Sequence, residues 1–158
     1  MSLIGILHRE FAKDEVPGTY GAVWLAPKST KKLHAFFKHY LDGSQIEPPE
    51  KMHITTIYSR KPIEMKSKPV SFIIEPDSYG LDFLGQNKEY LVLTVKHAAL
   101  NKLFNEAQKL GATWDYPEYI SHISICTNFT GNKDKVAKMP LPQFPLQALK
   151  HVVEELKE

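Results

Sequence analysis

Two stretches of this chain repeat one order of elements: a strand, an amphipathic helix, and a second strand that carries the motif His-x-Ser/Thr. They span residues 19–58 and 89–127. The distance from the first strand to the motif histidine, His53 or His122, is 33 residues in one stretch and 32 in the other. The halves share almost no identical residues, so only the architecture is repeated. A pseudo-twofold axis between two such units would bring their motif strands together at the centre.

Each motif alternates polar and apolar residues as a strand does. The motifs are His53-Ile54-Thr55 and His122-Ile123-Ser124. In a strand, the histidine and the hydroxyl residue point to one face, and the isoleucine between them points to the other. Two such pairs facing each other would supply two imidazoles and two hydroxyl donors at one site.

Periodic apolar residues predict two helices. The first is predicted from an N-cap at Ser29 to about Asp42, with Gly43 as its end, and the second over residues 97–110, with Gly111 as its end. Both show the i, i+3, i+4, i+7 spacing of an amphipathic helix. We expect each helix to pack one face against a sheet.

Runs of β-branched and aromatic residues predict the strands. Further strands are predicted over residues 19–26, 70–75, 90–95 and 119–127, with a weaker candidate over 78–84 and a turn at 85–87. Residues 128–145, rich in Pro and Lys, are predicted to be a loop whose lysines lie in solvent. Residues 146–156 allow a strand or a helix, and we predict a strand because it would complete a sheet. The fold class is therefore α+β.

Composition bounds what the chain can be. Its 158 residues suit a single domain, and a net charge of +2 does not favour a nucleic-acid polymer as partner. Cys126 is the only cysteine, so no internal disulfide can form and we expect a reducing, cytoplasmic environment. The apolar neighbours of Cys126 predict a buried thiol. The chain has no run of 18 consecutive apolar residues, so no membrane span is predicted. Residues Met1–Arg9 lack the apolar core of a signal peptide.

The paired motifs predict acid–base chemistry on a phosphate ester. Imidazole titrates near neutrality, so one histidine can accept a proton from a nucleophile while the other donates one to the leaving oxygen. The hydroxyls of Thr55 and Ser124 can donate to the non-bridging phosphate oxygens. A metal site is the competing interpretation, but no HExxH or His-x-His motif is present and neither motif contains an acidic residue. No Gly-x-Ser-x-Gly or glycine-rich phosphate loop is present either.

With His53-Ile-Thr55 and His122-Ile-Ser124, the chain resembles the 2H phosphoesterase superfamily over nearly its whole length. The stretch Met52-His-Ile-Thr-Thr-Ile-Tyr58-Ser59 and the spacing of 69 residues between the histidines look like the phage anti-CBASS phosphodiesterases. This resemblance implies two pseudo-twofold-related lobes with antiparallel sheets around a central groove and helices outside.

The resemblance also implies a substrate and a mechanism. Members of that subfamily cleave cyclic di- and oligonucleotide messengers of bacterial immune synthases. The implied step is attack of a 2′-hydroxyl on the adjacent 3′–5′ phosphodiester, without a metal or other cofactor. We expect a monomer that acts in the host bacterial cytosol if a phage encodes it. Two alternatives stay open: a 2H enzyme for RNA ends, 2′,3′-cyclic phosphates or 2′–5′ oligonucleotides, and a nucleotide sponge without catalysis.

Base-binding residues are predicted less directly. Tyr20 and Trp24 share one face of the first strand and are candidates to stack on bases. Phe83, with Tyr79, is a candidate for a second stacking wall, with core packing as the alternative. Glu154, or the glutamate after it, is a candidate to accept hydrogen bonds from a base edge. The alternative for this glutamate is a solvent-exposed side chain near the C-terminus without a role in binding.

Overall fold

The computed structural model describes residues 16–157, which form a seven-stranded sheet with helices packed against one face. The strands are β1 Thr19–Leu25, β2 His53–Ser59, β3 Lys68–Ile74, β4 Gly80–Leu84, β5 Tyr90–Thr94, β6 His122–Cys126 and β7 Leu146–Glu155. The helices are α1 Pro27–Tyr40, α2 Ala98–Lys109 and the short α3 Lys133–Lys138. The prediction for Met1–Arg9 lies outside the described residues.

The sheet is antiparallel throughout, and apart from the edge strand β3 its order is symmetric about the central pair β2 and β6. Its strand order is β3-β7-β1-β2-β6-β5-β4, so β7-β1-β2 on one side mirrors β4-β5-β6 on the other. We call the side with β1, α1, β2 and the added strands β7 and β3 the first lobe, and the side with β5, α2, β6 and β4 the second lobe. The predicted strand–helix–strand order therefore occurs twice, with β2 and β6 adjacent at the centre.

The main core lies on one face of the sheet, which we call the core face. Ile54 of β2 and Ile123 of β6 are both fully buried there and are Cα partners across the central strand pair. Leu33 and Phe37 of α1 and Leu100 of α2 are also fully buried in this cluster. The motif isoleucines thus anchor both central strands, and the motif polar residues point to the opposite face.

A short link joins the two edges of the sheet. The edge strands β3 and β4 are consecutive in the chain, and only residues 75–79 connect them. Five linking residues span at most roughly 20 Å, whereas six strand spacings add to roughly 29 Å. The sheet must therefore curl, and Tyr79 in this link is buried in the core with its hydroxyl donating to the carbonyls of Ile74 and Phe144.

Two sequence predictions about helices were wrong. Helix α1 begins at Pro27, because proline suits the first helical position, and its N-cap is Ala26 rather than Ser29. The hydroxyl of Ser29 instead accepts a hydrogen bond from the main chain of Gln147, at 2.9 Å. Residues 128–145 are not entirely a loop, since they contain α3. The predicted strand over residues 146–156 is confirmed as β7.

Candidate active site

The two His-x-Ser/Thr motifs lie side by side in the middle of the sheet. Ile54 and Ile123 are directly paired in antiparallel register. One residue further in each direction, this register sets His53 beside Ser124 and Thr55 beside His122. Because paired residues share a face, all four polar side chains lie on the face away from the core. We call this the motif face.

The two imidazoles are held by the same local hydrogen bond. His53 Nδ1 donates to the carbonyl of Lys51 at 2.7 Å, and His122 Nδ1 donates to the carbonyl of Ile120, also at 2.7 Å. Each acceptor lies two residues before its histidine. A proton fixed on Nδ1 leaves the Nε2 lone pair of the neutral ring free to accept a proton. Both rings are thus oriented to exchange protons through Nε2.

The environment of His122 favours its neutral form. Burial lowers the pKa of His122, and the nearby His53 lowers it further, while the hydrogen bond to Ile120 acts in the opposite direction. A neutral His122 at pH 7 is suited to accept a proton.

Thr55 is tied to two tyrosines. The Tyr20 hydroxyl and Thr55 Oγ1 form a hydrogen bond of 2.8 Å, and the Tyr119 hydroxyl donates to the main-chain carbonyl of Thr55 at 2.8 Å. Burial raises the pKa of both phenols, so both stay protonated. Tyr119 comes from the second lobe and Thr55 from the first. The sequence does not predict this role of Tyr119, because no pattern indicates which distant carbonyl a tyrosine reaches.

The predicted aromatic residues of β1 lie next to His53. Trp24 is directly opposite His53 in the register, and their ring centroids are 4.9 Å apart. Tyr20 presents an edge to the same imidazole, with centroids 6.3 Å apart. Both rings are therefore on the motif face, where a base could stack.

Glu154 also lies near this cluster. It is directly opposite Tyr20 on β7, and its charge contributes to the raised pKa of that phenol. Its side chain is exposed to solvent. The structure therefore brings Glu154 together with Tyr20 on the motif face, at the edge of the histidine pair.

The placement predicted for Phe83 is wrong. Phe83 pairs with Leu91, which is fully buried in the core, so its ring lies on the core face. There it packs against Phe129, with ring centroids 5.3 Å apart. Tyr79 is buried in the same cluster. The alternative of core packing holds for both residues: the register of β4 turns Phe83 away from the motifs, and Tyr79 is buried in the link before β4.

The remaining predictions concern metals, the membrane and the thiol. No group of three or more His, Cys, Asp or Glu side chains among residues 16–157 is arranged to hold a metal ion. No helix in that range is long and apolar enough to cross a membrane. The Cys126 thiol is buried as predicted, and burial raises its pKa.

Comparison with known proteins gives one family and one fold. The family model described as "Anti-CBASS protein Acb1" matches residues 17–158. The anti-CBASS protein Acb1 of Vibrio phage KVP40 is 26% identical over 111 residues, which are 70% of this chain and 73% of that protein. The fold is similar to Escherichia coli LigT complexed with 3′-AMP, with a TM-score of 0.56 and 10% identity. A solved phosphoesterase gives a TM-score of 0.58 and 11% identity, and each alignment covers 88% of this chain and 87% of the other. The predicted fold class is confirmed.

Proposed function

The chain belongs to the family of the anti-CBASS protein Acb1 and is a phosphodiesterase with an anti-CBASS role; from this premise we propose that it cuts 3′–5′ bonds of cyclic di- and oligonucleotide messengers. The observation that carries the proposal is the meeting of His53 and His122 on adjacent central strands. In both rings Nδ1 is hydrogen-bonded to a main-chain carbonyl, which leaves Nε2 free to exchange a proton with a substrate.

The proposed reaction is an internal transfer followed by release. The 2′-hydroxyl of the substrate loses its proton to one imidazole, and its oxygen forms a bond to phosphorus. The bond from phosphorus to the 5′ oxygen breaks, and that oxygen takes a proton from the other imidazole. The products are a 2′,3′-cyclic phosphate and a free 5′-hydroxyl, and protons exchanged with water return both rings to their starting forms.

We assign the base to His122 and the acid to His53. The lowered pKa of His122 keeps this ring neutral and able to accept the 2′-hydroxyl proton. His53, whose ring packs against Trp24, is the other imidazole of the pair and is assigned as the proton donor to the 5′ oxygen. Thr55 and Ser124 donate to the phosphate oxygens, and the bond from Tyr20 restrains the Thr55 hydroxyl.

The recognition of bases is proposed from the first lobe. Tyr20 and Trp24 supply rings on which a base can stack, a contact worth about 1–3 kcal/mol per base. Glu154, exposed beside Tyr20, supplies a carboxylate for a base edge. We further propose that the protein acts as a monomer in the cytosol of the infected bacterium.

The test is an assay of purified protein in EDTA. The substrates are cyclic dinucleotides, cyclic trinucleotides, 2′,3′-cyclic mononucleotides and 2′–5′ oligoadenylate, with products separated by chromatography. We expect turnover of at least one cyclic oligonucleotide, and cleavage of the last two substrates alone would support the RNA-end alternative.

Variants of the histidines test the mechanism. His53→Ala and His122→Ala should each lower kcat by about 10²–10⁴-fold, because each removes one proton-transfer group. His39→Ala is the matched control, since His39 is an exposed histidine of α1. If the wild-type protein binds a cyclic nucleotide without cleaving it, the alternative of a nucleotide sponge is supported. Full activity in either motif variant would show that this histidine takes no part in the mechanism.

A further inference from the structure

A row of side chains on the motif face leads from the histidines to a lysine. Lys150 of β7 is directly opposite Trp24, and Trp24 is directly opposite His53. Residues paired in this way share a face, so Lys150, Trp24 and His53 all project from the motif face. Two strand spacings, about 10 Å, separate the Cα atoms of Lys150 and His53.

The structure describes residues 16–157. Among the strand residues in that range, Lys150 is the one Lys or Arg that the register places on the motif face. The other charged residues that the register places there are Asp82 and Glu154, and both are acidic. Lys150 is exposed, and within the described part of the chain its ammonium group makes no hydrogen bond or ion pair. A cation is thus available beside the candidate active site.

We propose that Lys150 binds a second phosphate of the substrate, the one that is not being cut. This inference rests on the proposed function and specifies its substrate class: nucleotides in which one nucleoside carries phosphates on both its 5′ and 3′ oxygens. The scissile phosphate lies between His53 and His122, the nucleoside lies over Trp24, and the other phosphate reaches Lys150. The flexible, strongly charged lysine side chain suits a phosphate whose position varies with ring size.

Two linear substrates isolate the second phosphate. Adenylyl-(3′→5′)-adenosine, ApA, has one phosphodiester and no other phosphate, and pApA adds only a 5′-phosphate to the nucleoside that supplies the attacking 2′-hydroxyl. Lys150→Ala should lower the ratio of kcat/KM for pApA to that for ApA by about 10-fold, chiefly through KM, because a charge-assisted bond to phosphate is lost. Lys150→Arg should keep most of this ratio. The difference in the ratio between the wild type and Lys150→Ala should shrink in 0.5 M salt.

The matched control is Lys31→Ala. Lys31 is an exposed lysine of α1, on the helix-covered side of the sheet. Its removal changes the net charge as Lys150→Ala does, so it should leave the pApA to ApA ratio at the wild-type value. An equal ratio in wild type and Lys150→Ala would overturn the proposal, because the second phosphate would then not be recognised by this lysine.

A binding arm keeps this inference separate from the proposed reaction. Cyclic di-AMP is titrated calorimetrically into the His53→Ala/His122→Ala variant, with and without Lys150→Ala. We expect the dissociation constant to rise by about 10-fold when Lys150 is absent. Such a rise without any cleavage by the wild type would support the phosphate site while overturning the proposed reaction. Cleavage with an unchanged dissociation constant would overturn the phosphate site alone.

Discussion

The two lobes hold their histidines identically but surround them differently. In each lobe, Nδ1 bonds to the carbonyl two residues earlier, at 2.7 Å. The residue opposite His53 is Trp24, whereas the residue opposite His122 is Thr94. One strand further out, the first lobe has Lys150 and the second lobe has Gly80.

This difference separates two tasks of the molecule. The repeated features orient two equivalent imidazoles on adjacent strands. The unrepeated features are an indole and a lysine in the first lobe, where the second lobe has small residues. In our proposal they give the substrate one preferred direction across the sheet. In the proposed mechanism, this difference gives the two equivalent histidines distinct acid and base roles.

The largest expected effect comes from removing the need for an acid. Uridine 3′-(4-nitrophenyl phosphate) keeps the attacking 2′-hydroxyl but has a leaving group that departs without a proton. On this substrate His53→Ala should lose little activity, whereas His122→Ala should still lose about 10²–10⁴-fold. Release of 4-nitrophenolate, followed by absorbance, measures both. The opposite result would exchange the roles of the two histidines. Equal losses in both variants would contradict the assignment of one histidine as acid and the other as base.

A second comparison concerns the core beneath each lobe. His151 of β7 is fully buried opposite Val23, and at the equivalent position of the second lobe Leu81 lies opposite Leu93. His151 Nε2 and Thr56 Oγ1 are 2.7 Å apart, and burial, with a smaller effect of Lys68, lowers the pKa of His151 to about 4 despite Glu106. The first lobe thus contains a histidine that is neutral in the native state.

The free energy of unfolding should therefore fall in acid. Below its ordinary pKa of about 6.5, His151 takes up a proton in the unfolded chain but not in the native state, until the pH approaches 4. We expect a loss of about 3 kcal/mol between pH 7 and pH 4 from this group. Urea unfolding followed by circular dichroism at several pH values measures it. His151→Gln should flatten this part of the profile relative to the control His39→Gln, and an unaltered profile would contradict the assignment.

The smallest expected effect tests the connection between the lobes. Tyr119→Phe removes the hydroxyl that donates to the Thr55 carbonyl, and this should cost about 1 kcal/mol of unfolding free energy. It should also lower kcat by a few-fold, because Thr55 is held less firmly beside His122. Tyr116→Phe is the control, since Tyr116 is 66% exposed. Equal kcat values for the two variants would show that the Tyr119 hydroxyl does not position Thr55.

The sequence was sufficient where a local pattern determines structure. Alternation in the motif strands and the periodicity of α1 and α2 predicted the repeated order, because each element buries one apolar face. It was insufficient where register matters. The placement of Phe83 depends on pairing with Leu91, and the contact of Tyr119 with Thr55 joins residues 64 apart. Helix α3 was missed because its six residues are too short for periodicity and are capped by a single side chain, Asn132.

The central strand pair also determines when the enzyme becomes active as it folds. His53 and His122 are 69 residues apart in the chain, and β2 and β6 share a single Cα pair, Ile54 with Ile123. The units β1-α1-β2 and β4-β5-α2-β6 can each pair their own strands through nearer contacts, whereas joining the histidines closes a longer loop. Recovery of cleavage during refolding is thus expected to lag behind recovery of secondary structure, which makes catalysis a reporter of lobe docking.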